Sequence, residues 1–204
     1  MKKWVWAIAV LLSACQASVS TVSPTASAAF GSSTPVSRPV PAEFVIPQLN
    51  LKQGTHLLYL ASPQLDYLSA AQESHALVSI VGNPDQINSW QIRLADAKKP
   101  IESMVVFKDG KFKTNHVYQG ILFDLNFMQF ESNDYFKILN AALDLLEPDG
   151  TLVVAGEKTD NWLRDYVEAI ERLAEGANSG QKLFKKMAIE QEFSATHFTI
   201  IIIK

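Results

Sequence analysis

The sequence predicts an α/β fold with a mostly parallel sheet and helices on both of its faces. Short β-rich runs alternate with helical patterns through residues 49–204, and this alternation is typical of parallel strands joined by helices. Two runs, residues 118–124 and 151–155, are almost entirely apolar, as expected of strands covered on both sides. The segment has about 155 residues, the usual size of one domain.

In the first half of this segment, residues 55–61 predict a strand and residues 64–74 an amphipathic helix. Residues 76–82 predict the second strand, and the alternation of residues 90–95 predicts a third. Residues 104–113 predict a hairpin, because Asp109-Gly110 between two β-prone arms accepts the positive φ of a type I′ turn.

In the second half, the apolar strand at residues 118–124 precedes a helix that is capped by Asn133 or Asp134. Apolar residues recur along this helix at helical spacing until Pro148-Asp149-Gly150 ends it. The remaining predicted elements are a strand over residues 151–155, a helix over 160–173, a weaker helix or turn over 182–190 and a final strand over 195–203.

The start of the chain carries the features of an export signal. Lys2 and Lys3 precede an apolar run over residues 4–12, and Leu12-Ser13-Ala14-Cys15 closes it. This tetrapeptide resembles the lipobox of bacterial lipoproteins. The resemblance implies a signal peptide over residues 1–14 and acylation of Cys15 with a diacylglycerol that carries fatty acids such as palmitate. Because Gln16 follows, it also implies an outer-membrane lipoprotein that faces the periplasm.

Two other interpretations of the apolar run fit less well. As a permanent membrane anchor, the run is much shorter than the ~20 residues that cross the hydrocarbon core. As an ordinary signal peptide cleaved after residues 26–28, it lies too far from the cleavage site, across a stretch rich in Ser and Thr.

Residues 15–48 are predicted to form a disordered tether. They are mainly Ser, Thr, Ala, Val and Pro with almost no charge, and such residues bury too little apolar surface to offset the entropy of ordering. A chain of this kind spaces a domain from a membrane. The globular domain is therefore expected to occupy residues 49–204.

Composition excludes several kinds of site. The net charge of −3 is spread without blocks, so no basic surface for nucleic acid is expected. Cys15 is the only cysteine, which leaves the domain without disulfides, thiolate ligands or a cysteine nucleophile. The four histidines show no metal-ligand spacing, and no metal site is predicted.

The second half also contains a strand, a helix and a turn in a distinctive order. The strand YQGILFD ends in Asp124, and a helix leads through Leu-Glu-Pro-Asp-Gly at residues 146–150 into the strand TLVV. This order resembles class I S-adenosylmethionine-dependent methyltransferases, in which a strand ends in an acidic or amide residue and a helix leads into a Pro-Gly-Gly turn. The resemblance implies a Rossmann-like, methyltransferase-type sheet with an antiparallel last strand.

The first half departs from that family's cofactor site. Members have a glycine-rich turn after the first strand and an acidic residue after the second, and glycine lets the backbone approach the cofactor. This chain has Tyr59 at the acidic position of the turn motif, followed by Ser62 and Pro63. Asp96, after the predicted third strand, and Asp124, after the fourth, match two positions that contact the cofactor.

Three functions are compatible with these residues. The favoured one is a lipid-anchored pseudoenzyme that has no cofactor and binds an envelope protein, a peptide or a small ligand. The first alternative is a methyltransferase that uses S-adenosylmethionine through an altered loop, outside the compartment where that cofactor is made. The second is another α/β enzyme, such as a hydrolase, with Ser62 as nucleophile and a histidine such as His56 as base.

Overall fold

The apolar runs of the sequence form the centre of one eight-stranded sheet. The computed structural model describes residues 40–61, 64–82, 84–125, 135–158, 160–168, 170–171, 186–190 and 195–204, which all belong to one compact unit within residues 37–204. The strands are β1 (His56–Leu60), β2 (Leu77–Gly82), β3 (Ser103–Lys108), β4 (Lys111–Lys113), β5 (Tyr118–Asp124), β6 (Leu146–Glu157), β7 (Lys186–Glu190) and β8 (His197–Ile203). Across the sheet their order is β4-β3-β2-β1-β5-β6-β8-β7.

The centre of the sheet is parallel and its edges include antiparallel strands. β1 pairs in parallel with β2 and β5, β2 pairs with β3, and β5 pairs with β6. β8 is antiparallel to both of its neighbours, β6 and β7, and β4 is antiparallel to β3. This arrangement confirms the predicted α/β fold with an antiparallel last strand.

Helices cover both faces of the sheet. They are α1 (Ala42–Val45), α2 (Leu65–Glu73), α3 (Pro84–Asp96) and α4 (Tyr135–Leu145), with a 3-10 turn at Ile46–Leu49 and a π-helical turn at Leu163–Glu168. Leu57 and Tyr59 of β1 pack with α1, α2 and α3, whereas Leu58 and Leu60 pack with α4 on the other face. None of the described helices combines the length and the apolarity needed to span a membrane.

The predicted third strand at residues 90–95 is wrong, because these residues lie in α3. Trp90 and Leu94 are buried, but Ile92 is 66% exposed. The three apolar side chains alternate along the sequence, yet only the i, i+4 pair faces the core, as in a helix. The third strand is β3, in the first arm of the predicted hairpin.

Two other predicted segments differ from the structure. Residues 186–190, predicted as part of a weaker helix or turn, form β7. Residues 40–48, predicted as the end of the tether, carry α1 and most of the 3-10 turn, and Val40, Val45 and Ile46 are 0%, 0% and 5% exposed. These side chains belong to the core, so the globular domain includes residues 40–48.

The predicted hairpin is confirmed at β3 and β4. Asp109 and Gly110 have φ values of 56° and 72°, as the turn type requires. β4 forms one edge of the sheet, with Phe112 buried and the flanking Lys111 and Lys113 exposed. Charged lysines on an edge strand oppose pairing with a second chain.

Candidate functional site

The carboxyl ends of the parallel strands meet at one edge of the sheet, where a ligand is expected. In open α/β sheets, ligands bind where adjacent strands send their connections to opposite faces. That point lies between β1 and β5, because α2 follows β1 on one face and α4 follows β5 on the other. Tyr59 and Asp124 lie at these strand ends.

Tyr59 and Asp124 form a buried hydrogen bond at this point. The Tyr59 hydroxyl donates to Asp124 Oδ2 at 3.3 Å, and the two residues are 1% and 0% exposed. Tyr59 is paired with Leu122, so its ring extends along the shared face to the carboxylate two residues further along β5. The carboxylate matched to cofactor binding is therefore contacted by the protein itself and closed to solvent.

Tyr67 and Val40 extend this buried group. Tyr67 of α2 packs edge-on against Tyr59, with ring centroids 5.8 Å apart. Its hydroxyl donates to the carbonyl oxygen of Val40, which is fully buried. Tyr59 and Tyr67, called the tyrosine pair below, thus connect the segment before α1 to the carboxyl edge of the sheet.

The tyrosine pair stays protonated at neutral pH. Burial raises the pKa of Tyr59 well above its ordinary value, and the negative charge of Asp124 raises it further. Burial and the same carboxylate also raise the pKa of Tyr67. Both hydroxyls therefore act as neutral hydrogen-bond donors, and neither supplies a base for proton abstraction.

A tryptophan covers the end of β2. A Cβ atom placed on Gly82 would lie 2.6 Å from Cζ3 of Trp90, and Trp90 is only 6% exposed. The indole therefore packs directly against the backbone of Gly82. Any side chain at position 82 would collide with the indole.

The structure separates the two carboxylates matched to cofactor binding. Asp124 ends β5 at the carboxyl edge, as predicted. Asp96 is an exposed residue at the C-terminal end of α3. A helix that joins two parallel strands runs antiparallel to them, so Asp96 lies toward the amino edge. Its assignment depended on a third strand that is a helix, and it does not share a cleft with Asp124.

His56, the base named in the hydrolase interpretation, lies at the start of β1 and not at its carboxyl end. Ser62 and Pro63 lie outside the described residues and follow β1 at its carboxyl end. His56 is the first of the five residues of β1, so about 16 Å of strand separates it from that end.

A histidine and a glutamate lie at the carboxyl edge on neighbouring strands. His197 begins β8 and is paired with Glu157 at the end of β6. Its Nε2 lies 4.0 Å from Glu157 Oε1, and its Nδ1 lies 2.9 Å from the hydroxyl oxygen of Thr196. The Glu157 side chain is 43% exposed, so this pair is open to solvent. The sequence did not indicate it, because the partners belong to separate strands.

A small cleft adjoins Tyr67. Its volume is about 260 Å³, and it is lined by Val40, Pro41, Ala42, Gln64, Leu65, Asp66, Tyr67 and Arg93. Pockets for drug-sized ligands usually range from about 300 to 1,000 Å³. This cleft suits a smaller group, such as one or two side chains of a bound peptide.

A second polar group lies at the opposite, amino edge of the sheet. His56 begins β1, Glu102 directly precedes β3, and His116 lies two residues before β5. One potential ligand atom from each lies within 4.8 Å of the others. The sequence did not indicate this group, because parallel strands bring together residues that are far apart in the chain. Polar residues at successive strand starts were the available signal.

Comparisons with known proteins give the fold. No protein-family model and no curated protein sequence matches this chain. It is similar in structure to an rRNA methylase from Streptococcus thermophilus, with a TM-score of 0.58, 12% identity and coverage of 81% of this chain and 96% of that one. It is also similar to a methyltransferase from Pyrococcus furiosus, with a TM-score of 0.54, 14% identity and coverage of 78% and 80%.

A third similar structure is a complex with SAH. This candidate methyltransferase from Streptococcus mutans, in complex with SAH, has a TM-score of 0.57, 11% identity and coverage of 82% of this chain and 99% of that one. The antiparallel last strand agrees with the sheet that the sequence resemblance implied. The described domain therefore has the Rossmann-like fold of the class I S-adenosylmethionine-dependent methyltransferases.

Proposed function

We propose that this protein is a lipid-anchored, non-catalytic binding module with a methyltransferase fold. The observation that carries the proposal is the buried hydrogen bond between Tyr59 and Asp124, at the place where a cofactor would bind. A carboxylate with no exposed surface cannot contact a cofactor or a substrate unless the tyrosine moves away. Such a fold can bind other molecules after catalysis is lost.

The surroundings of this hydrogen bond support the same proposal. A nucleoside cofactor needs an open approach to the end of the first strand and a polar partner for its ribose. The tyrosine pair lies at the end of β1, and Trp90 covers Gly82 at the end of β2, and both observations support the proposed loss of these features.

The proposed location is the cell envelope, with the lipid on Cys15 as the membrane contact. The motif Leu12-Ser13-Ala14-Cys15 supports the anchor, and Gln16 supports an outer-membrane position that faces the periplasm. S-adenosylmethionine is made in the cytoplasm, so an exported domain gains little from a cofactor site. The proposed partner is an envelope protein, a peptide or a small ligand, and the dispersed charge argues against nucleic acid.

Calorimetric titration tests the loss of the cofactor site. The full chain carrying Cys15→Ser, in mild detergent, is titrated with S-adenosylmethionine and with S-adenosylhomocysteine. We expect no binding to either at micromolar concentrations, whereas a cofactor-binding methyltransferase of the same fold serves as positive control. Cooperative thermal unfolding of the sample shows that it is folded. Micromolar affinity for either compound would refute the proposal.

A processing experiment tests the anchor separately. Cells that express the chain are labelled with palmitate and treated with globomycin, which blocks lipoprotein signal peptidase. We expect label on the wild-type chain, accumulation of an unprocessed form with globomycin, and no label on Cys15→Ala. Maturation that is insensitive to both changes would exclude a lipoprotein and would leave the binding-module proposal unaffected.

A methyltransferase with an altered loop is the second candidate. The similarity to a structure in complex with SAH favours it. In that case Tyr59 moves away from Asp124 when the cofactor enters, and Asp124→Asn weakens cofactor binding while Tyr59→Phe strengthens it. The same calorimetric titration, carried out with these two variants, distinguishes the candidates.

A further inference from the structure

We propose that His56, Glu102 and His116 form a binding site for a divalent metal ion of the zinc class. The site lies at the amino edge of the sheet, on the opposite side from Tyr59 and Asp124. It does not depend on the proposed function, because none of its residues contributes to the carboxyl edge.

The distances between the three side chains are close to those of a metal site. His56 Nδ1 lies 2.9 Å from Glu102 Oε2. The rings of His56 and His116 are stacked, with centroids 5.4 Å apart and an angle of 24° between their planes. All three ligand atoms lie within 4.8 Å of one another. Tetrahedral zinc, with bonds of about 2.0–2.2 Å, places its ligand atoms about 3.3 Å apart, which side-chain rotations can reach.

The backbone of each ligand is held in place before a metal arrives. The backbone N–H of His56 donates to Gln119 Oε1 at 3.0 Å. That of Glu102 donates to the carbonyl oxygen of Val78 at 2.8 Å, and that of His116 donates to Thr114 Oγ1 at 3.1 Å. A site whose ligands are already positioned loses less conformational entropy on binding. The fixed starts of β1 and β3 therefore favour metal binding by these side chains.

The donor set selects the kind of metal. Two imidazoles and one carboxylate are typical zinc ligands, whereas calcium and magnesium prefer sites made entirely of oxygen. Three protein ligands leave a fourth position for water, and the side chains of His56 and Glu102 are 28% and 24% exposed. An ordinary surface ion pair would explain the contact between His56 and Glu102. It would not explain why the imidazole of His116 stacks on that of His56.

Zinc titration against a chromophoric chelator tests the site. The full chain carries Cys15→Ser, so that neither lipid nor a thiolate contributes. We expect one zinc ion per chain with micromolar affinity, and an increase in the midpoint of thermal unfolding with added zinc. His116→Ala and Glu102→Gln should each weaken binding at least about tenfold, since even residues that only support a ligand have effects of that size.

His75→Asn is the matched control. His75 is an exposed histidine outside the cluster, and its φ of 56° is one that asparagine tolerates. We expect this variant to bind zinc as the wild type does. His116 is exposed and lies outside the strands, so its variant should unfold at the wild-type temperature without zinc. Absence of zinc binding by the wild type, or equal affinity in wild type and His116→Ala, would overturn the proposal.

Discussion

Replacing Tyr59 with Phe tests the hydrogen bond on which the proposed function rests. The substitution keeps the ring and its contact with Tyr67 but removes the hydroxyl 3.3 Å from Asp124 Oδ2. A hydrogen bond to a charged group contributes about 1.5–3 kcal/mol, and removing a donor from a buried acceptor costs about 1–3 kcal/mol. The distance is longer than the 2.5–2.7 Å typical of strong O–H···O⁻ bonds, which places the effect at the lower end of these ranges.

We therefore expect the free energy of unfolding to fall by about 1–2 kcal/mol in Tyr59→Phe. For a domain of this size, each kcal/mol lowers the midpoint of thermal unfolding by about 2–4 °C. Urea unfolding of the full chain with Cys15→Ser, followed by tryptophan fluorescence, measures the loss. Because the variant keeps the shape of the core, its denaturant slope should match that of the wild type.

Tyr135→Phe is the matched control for this experiment. Its ring packs on Phe123, and its hydroxyl has no hydrogen bond to any residue that the structure describes. We expect a change within about 0.5 kcal/mol. Equal losses in the two variants, or no loss in Tyr59→Phe, would refute the argument that the Tyr59 hydroxyl stabilises the buried carboxylate.

Three other predictions concern the same core. The ordinary pKa of tyrosine is ~10, so above this pH the unfolded chain loses protons that the native tyrosine pair keeps. The contribution of the pair to the free energy of unfolding is therefore fully present below pH ~10. Above it, this free energy should fall by up to about 1.4 kcal/mol per pH unit for each tyrosine. Urea unfolding between pH 9 and 11 checks this, and a flat profile would contradict it. Gly82→Ala should cost about 1–3 kcal/mol through its collision with the indole, and less in a Trp90→Leu background. Thermal unfolding of the four chains measures the coupling, and equal losses in both backgrounds would mean that the indole does not pack there. Ile46→Ala should cost about 2–5 kcal/mol, compared with about 0.5 kcal/mol or less for the exposed Glu43→Ala. Small losses in both would mean that residues 40–48 are part of the tether after all.

The central strands were predictable because burial on both faces leaves a clear pattern. β5 is found at the predicted residues, Tyr118–Asp124, since a short and mostly apolar run is typical of a strand that is buried on both faces. The Asp109-Gly110 turn was predictable for a local reason, the positive φ that both residues adopt. Neither inference needs knowledge of the rest of the chain.

α3 and β7 could not be assigned from local pattern alone. Trp90 and Leu94 fit both a helical and an alternating spacing, and only packing against Gly82 and the sheet decides between them. Residues 186–190 form β7 because they pair with β8. The strand propensities of single residues do not indicate such a pairing. Because residues 90–95 were predicted to form the third strand, Asp96 was predicted to lie at a strand end and to belong to the cofactor site.

The two candidate sites differ in how much the sequence revealed. Asp124 was found because it ends a recognisable strand, but its contact with Tyr59 depends on the register between β1 and β5. His56 and Glu102 are 46 residues apart and share no motif. They meet because β1 and β3 both begin at the same edge, which is a property of the sheet and not of any local segment.

The position of β8 affects when this protein can fold. β8 lies between β6 and β7 in the sheet, although both precede it in the chain. Among the described strands, β7 pairs only with β8, so β7 joins the sheet only when β8 is in place. Late, long-range pairing slows folding and keeps nascent chains unfolded for longer. Slow closure of this half of the sheet suits a protein that is proposed to cross a membrane before it folds.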